Sequence, residues 1–263
     1  MQTIEGLFAP LATPFTDDAS TISEIRFARQ IRYLLNNPVD GFIVGSDSGE
    51  FATVSSSERK QLVEWTARFA NGKPFMVHVS SLSTAVSLDL AQHAARYGAR
   101  AAILMPPFYG DYTTDEMVSF YRTIAHHSGV TIVIVDPQET ITSEVRAGLA
   151  EVPEVVFAKP LQDVRYGMLS CYKGLTTSDE FAVSHCIASP LALLRPKQVA
   201  NAIEGETADL AKLIILEETL GRARVSKTGM EVLGIDLGPP RPPLKSLTGS
   251  VRAALKTLLE VEG

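Results

Sequence analysis

Cysteine is scarce in this chain. Cys171 and Cys186 are the only two, and their spacing is not that of metal ligands. A disulfide framework and a cysteine-rich zinc site are thereby excluded, and a reducing compartment is expected. Positive charge is also short: 24 Lys and Arg face 30 Asp and Glu, for a net charge of −6. No basic run or aromatic–basic stripe appears, so no nucleic-acid or anionic-membrane partner is expected. No apolar run approaches the ~20 residues of a membrane span. The start, MQTIEGLFAP, lacks a charged region followed by an apolar stretch, so no signal peptide and a cytoplasmic location are expected. Neither G-x-G-x-x-G nor G-x-x-x-x-G-K-[ST] occurs, which removes the usual glycine-rich nucleotide turns.

What is present is regular. Six short apolar runs recur: LFAPLATPF (7–15), GFIVGS (41–46), PFMVHVSS (74–81), AAILMPP (101–107), TIVIVD (131–136) and VVFAKP (155–160). Each has strand length, and most are apolar on both faces, as buried parallel strands are. Helical segments lie between them. Thr21-x-x-Glu24, Ser55-x-x-Glu58 and Thr113-x-x-Glu116 each fit a capping box. Ile22, Ile25, Ile31, Leu34 and Leu35 share one face of the first helix; Leu88, Ala91, Ala94 and Ala95 share one face of the third, which Gly98 stops. A strand-to-strand spacing of about 30 residues is that of βαβ units. Without a nucleotide turn, a closed (β/α)₈ TIM barrel is preferred to an open doubly wound sheet, with its site at the carboxyl ends of the strands.

The second half is less regular. Only LQDVRYG separates Pro160 from Met168, too short for a crossover helix. MLSC (168–171) and FAVSHCIAS (181–189) are the expected strands seven and eight, so the outer helices are reduced around units 6 and 7. Residues 1–195 are then the barrel, and 196–263 a C-terminal helical extension packed on the same domain. That extension contains the Pro-rich GPPRPPLKSL (238–247) and a last helix ending near Glu260.

Lys159 is the most informative residue. Alternation puts Val155, Phe157 and Lys159 on one face. An ammonium is rarely set in an apolar strand. Burial lowers its pKa, and the neutral amine attacks carbonyls, which is Schiff-base chemistry. A lysine that pairs with a carboxylate, or reaches solvent at a strand end, fits the same pattern.

The stretch GSDSGE (45–50) resembles a serine-hydrolase elbow, but the central serine is Asp47. His93, His126 and His127 fall on predicted helices, and His78 and His185 within strand-like runs. No histidine base is therefore indicated for Ser46 or Ser48. The turn fits either a nest of N–H groups and hydroxyls that holds a carboxylate, or a plain glycine turn capped by Ser and Asp. Tyr109, after Pro106-Pro107-Phe108, is set either to place a hydroxyl at the mouth or to pack. Asp136, Glu139 and Asp163 lie at or just past strand ends. No cluster has metal-ligand spacing, so no metal is expected.

In order along the chain, these pieces resemble the dihydrodipicolinate synthase / N-acetylneuraminate lyase superfamily. The resemblance rests on Ala12-Thr13-Pro14-Phe15, GSDSGE followed by Glu58-Arg59, Ser83-Thr84, Pro107-Phe108-Tyr109, Lys159, and Leu233-Gly234 before Arg241-Pro242-Pro243-Leu244. It implies a (β/α)₈ Schiff-base enzyme acting on pyruvate or a related 2-oxo acid, assembled as a homo-oligomer, dimer or tetramer. Lys159 matches the imine lysine. Asp47 and Ser48, beside Gly49, match two threonines that serve a proton relay and the substrate carboxylate. Tyr109 matches a relay tyrosine that synthases share across a dimer interface.

The departures are as informative. Where the family has Tyr-Asn-x-Pro on strand five, this chain has Ile134-Val135-Asp136-Pro137, so the acid/base phenol is missing. Where synthases have Gly-Arg-Thr, it has Gln138-Glu139-Thr140, a reversal of charge. Asp47 adds negative charge where a pyruvate carboxylate would bind. The expected function is a lyase of the aldolase or dehydratase type on a 2-oxo acid or sugar-derived acid, not a dihydrodipicolinate synthase. Ser48, Tyr109, Asp136, Glu139 or a water would move the proton, with Asp47, Gly49, Asp136 and Glu139 around the substrate. The imine is itself the electron sink, so no cofactor is expected. The alternative is a degenerate barrel that binds a ligand or partner without turnover.

Overall fold

The computed structural model describes residues 6–160, 169–173, 181–184, 186–188, 190–203 and 210–260. Six strands, β1 (Gly6–Pro10), β2 (Gly41–Val44), β3 (Phe75–His78), β4 (Ala101–Leu104), β5 (Thr131–Ile134) and β6 (Val155–Pro160), pair in sequence order, each parallel to the next. The helices α1 (Glu24–Leu35), α2 (Ser56–Phe69), α3 (Thr84–Arg96), α4 (Thr114–Ser128) and α5 (Ser143–Leu149) make the crossovers. The result is an α/β fold on a curled parallel sheet.

Strand alternation divides the sheet into two packed faces. Leu7, Phe42, Val77, Leu104, Ile134 and Phe157 belong to the large core shared with the helices. Phe8, Ile43, Met76, Ile103, Val133 and Val156 form a second layer on the concave side. Burying each such side chain contributes roughly 1.5–3 kcal/mol.

The closed eight-stranded barrel expected from the sequence is not what the described residues show. β7 (Leu169–Lys173) runs antiparallel to β6, and β8 (Phe181–Ser184) antiparallel to β7. The run 181–189 is divided, and its second piece, β9 (Cys186–Ala188), pairs parallel with β1. Chain length explains the change of direction. A parallel return needs a crossover of a dozen or more residues, and 161–168 is shorter. Cα atoms of β7 come within 8 Å of β9, so the sheet curls toward its own first edge.

The capping boxes at Ser55 and Thr113 form, each with its glutamate bonded back to the cap N–H. The one expected at Thr21 does not. The first helix starts at Glu24, with Ser23 at its cap and no side-chain cap bond. Its buried face is Phe27, Gln30, Ile31 and Leu34, which leaves Ile25 69% exposed. Gly98, at φ +81°, ends α3 as expected. The second half adds α6 (Pro196–Ile203), α7 (Ala211–Leu220), α8 (Arg222–Val232) and α9 (Gly249–Glu260). Leu213, Val225, Met230 and Leu255 join the core of the sheet.

Candidate active site

Parallel pairing puts the carboxyl ends of β1–β6 on one rim, so the segments after them share it. β2 leaves through Gly45 at φ +71°, a conformation that penalises a β-carbon. Ser46 Oγ is buried with no hydrogen-bond partner among the described residues. A single tight turn, Asp47–Gly49, follows. Ser48 is 2% exposed. Thr13 Oγ1, just past β1, donates to the Gly49 carbonyl at 2.6 Å.

Glu50 anchors the rim from below. It takes the left-handed conformation, φ 55°, and its carboxylate is wholly buried. Lys227 Nζ of α8 lies 2.7 Å from its Oε1, and the Arg241 N–H donates to Oε2 at 2.8 Å. Lys227 also donates to the Pro239 carbonyl at 2.8 Å and sits 4.1 Å above the Phe15 ring. Burial pulls its ammonium down to about 8, against the pull of Glu50. Arg241 closes a two-pronged pair with Glu58, at 2.7 and 2.8 Å, with Phe15 beneath its guanidinium. Arg59 donates to the carbonyls of His78 and Ser80, at 2.5 and 3.0 Å, and so braces the end of β3. Motif pieces scattered along the sequence thus form one connected network.

Asp47 lies outside that network. Its side chain is 56% exposed and pairs with Arg222 Nη1 of α8 at 3.2 Å. Half-exposed pairs of this kind contribute about 0–1 kcal/mol. The charge that the sequence sets against a substrate carboxylate is therefore matched by a cation from the C-terminal helices. Glu217, on α7, lies in the field of the same arginine. Burial raises its carboxyl to about 7, with Arg222 pulling the other way, and its Oε1 has no hydrogen-bond partner among the described residues. A folded pKa above the unfolded value stabilises fully below about pH 4.5 and is lost as pH rises through 7. Glu217→Gln should remove that fall, on the order of 3 kcal/mol, from denaturant-measured stability between these pH values.

The other expected residues are less gathered. Tyr109 is 81% exposed, and its carbonyl accepts from Tyr112 Oη at 2.7 Å. Asp136 is engaged locally: Thr140 Oγ1 and the Ile141 N–H donate to its two oxygens at 3.0 and 2.7 Å. Glu139 is exposed and left-handed, at φ 54°. On β5 the concave side is taken by Val133 and, just beyond the strand, Val135, while Ile134 faces the helices. Ile134, the residue matched to the family's phenol, thus packs toward the helices, and Val135 on the concave side is aliphatic as well. Lys159 lies in β6 opposite Ser170 of β7. Its side chain is outside the described residues, as are Asp163 and His185. Val155 and Phe157, which share its strand parity, face the helices; Val156 and Ala158 face the concave side.

On that concave rim His78 Nε2 is 3.2 Å from Ser80 Oγ, which accepts from the Met105 N–H at 2.8 Å. Burial, helped by Arg59, lowers His78 to about 3, so its ring is neutral and only weakly basic here. Among the described residues no three His, Cys, Asp or Glu side chains gather as metal ligands do. No helix among them is long and apolar enough to cross a membrane. Sequence reasoning missed Arg222, Lys227 and Glu217. The signal for Lys227 was its place on the buried face of α8, one turn from Ala223 and Met230.

Residues 3–173 match the model of the dihydrodipicolinate synthetase family. The chain is 27% identical to the 4-hydroxy-tetrahydrodipicolinate synthase of Methanococcoides burtonii, across 98% of either chain. It is 26% identical to the N-acetylneuraminate lyase of Rhizobium meliloti, across 96% of this chain and 93% of that one. Among solved structures, the 4-hydroxy-tetrahydrodipicolinate synthase of Methylacidiphilum fumariolicum SolV has a TM-score of 0.80 at 20% identity, covering 98% of this chain and 95% of its own. That last likeness is one of fold.

Proposed function

The chain belongs to the dihydrodipicolinate synthetase family, and from that premise we propose that it is a Schiff-base-forming lyase acting through Lys159. The observation that carries this reading is the place of Lys159 near the carboxyl end of β6, on the rim that holds the Ser48 turn. The reaction is of the aldolase or dehydratase type, on a 2-oxo acid or sugar-derived acid. The amine adds to the 2-oxo carbon and water leaves, giving an iminium ion. In a dehydration that ion accepts the pair of the adjacent carbon–hydrogen bond as a base takes the proton, and the enamine so formed expels the β-hydroxyl as water; in a carbon–carbon cleavage it accepts the pair of the breaking bond directly. Protonation of the enamine and return of water then free the lysine.

An imine on this lysine requires β6 to turn the amine to the concave side after Ala158. Ser48, Tyr109 and a bound water carry the proton in place of the missing phenol. Asp47, Gly49, Asp136 and Glu139 border the substrate. In this reading residues 1–195 form the barrel domain and 196–263 its helical extension. Leu82, Phe108, Tyr109 and Tyr112, 63, 50, 81 and 43% exposed, form an apolar patch beside the rim that a second copy would cover.

Incubation with pyruvate and other 2-oxo acids under borohydride, read by intact mass and peptide mapping, tests this. A reduced adduct is expected on Lys159 and is lost in Lys159→Ala. If no 2-oxo acid leaves an adduct, the lyase reading fails and a degenerate barrel that binds without turnover takes its place. The aliphatic pair Ile134 and Val135, where the family carries its phenol, is the observation that favours that second reading.

A further inference from the structure

We propose that Arg222 is the residue that anchors the substrate carboxylate, with Asp47 holding that place until the substrate arrives. This deepens the lyase reading and rests on it for the identity of the substrate as a carbonyl acid. The turn after β2 leaves little room for a carboxylate of its own. Ser48 is 2% exposed, and the Gly49 and Glu50 N–H groups are taken by the Ser46 and Asp47 carbonyls, at 2.9 and 3.2 Å. Beside that turn the chain supplies an anion already: the Asp47 carboxylate, seated on Arg222 at 3.2 Å.

The pairing is poised for exchange. It uses one guanidinium N–H among the described contacts, and the two side chains are 44% and 56% exposed. An exposed pair is weakly held, while the planar fork of arginine grips a carboxylate through two parallel bonds. The other acid near Arg222, Glu217, is buried and raised to about 7, so near neutral pH it competes only in part. A substrate carboxylate therefore meets a cation that is charged, accessible and lightly occupied. Asp47, once displaced, swings toward solvent rather than into the core. The class selected is a carbonyl compound bearing a carboxylate, recognised by the C-terminal helices rather than by the hydroxyls of the turn.

The test compares borohydride trapping of pyruvate with that of hydroxyacetone, a neutral carbonyl of similar size. In Arg222→Met the pyruvate-to-hydroxyacetone rate ratio should fall at least tenfold, and Arg222→Lys should recover part of it. Asp47→Asn should raise the ratio several-fold by freeing the guanidinium. A loss of folding would slow both carbonyls and leave the ratio alone, so a ratio unmoved in Arg222→Met overturns the proposal. If neither these carbonyls nor any other 2-oxo acid leaves an adduct on the native chain, the lyase reading fails by itself. Calorimetric titration with pyruvate then decides the anchor. Binding lost in Arg222→Met supports it, and binding that is absent from the native chain or indifferent to Arg222 overturns it.

Discussion

Replacing Glu50 by alanine should cost about 3–5 kcal/mol, the range for stranding one member of a buried ion pair. The carboxylate is wholly buried, and two donors depend on it: the Lys227 ammonium and the Arg241 N–H. Without it Lys227 keeps only the Pro239 carbonyl and the Phe15 ring. For a chain of this length the melting temperature should fall by roughly 2–4 °C per kcal/mol, so by about 10 °C. The partner change separates a stranded charge from a lost contact. Combining Glu50→Gln with Lys227→Met removes both charges, and buried pairs replaced in this way are often neutral or better. The double variant should therefore regain most of the loss, since residue 50 is left-handed in the native chain as well and that cost cancels. Denaturation midpoints that are equal for the single and double variants would contradict the account.

Turnover by the native chain should be slow, and Val135→Tyr should raise kcat tenfold or more. A general acid/base group typically contributes ~10²–10⁴-fold, and no phenol stands on the concave side of β5. Position 135 is the one that faces that side. Val135 packs on the concave layer, and its N–H still bonds the Leu104 carbonyl at 3.1 Å. Position 134 is the control. Ile134 is 1% exposed in the helix-facing core, where a tyrosine would overpack at a cost of ~1–3 kcal/mol and point away from the rim. Ile134→Tyr should lower stability without raising kcat. A gain at 134 and none at 135 would mean that the two faces of β5 are exchanged.

The alternation of apolar runs and helical segments was enough to place six parallel strands, because strands buried on both faces leave a signature that local residues carry. The capping boxes at Ser55 and Thr113 were legible for the same reason: each is complete within four residues. So was the rim as a list of parts, with GSDSGE, Tyr109, Asp136 and Lys159 each near a strand end. Which face a strand-end residue takes was less legible. Ile134 and Val135 are alike in chemistry, and only the packed layers on either side tell them apart.

What the tertiary structure alone decided is how distant segments meet. Glu50 and Lys227, or Asp47 and Arg222, lie far apart in the chain, and nothing local marks one as the partner of the other. The direction of β7 belongs here as well. A short connection excludes a parallel return, yet pairing with β6 depended on which edge was free. Burial then set the chemistry. The same lysine or glutamate is an ordinary surface charge in the sequence. It becomes a perturbed group only where surrounding helices take its water away, as they do for Lys227 and Glu217.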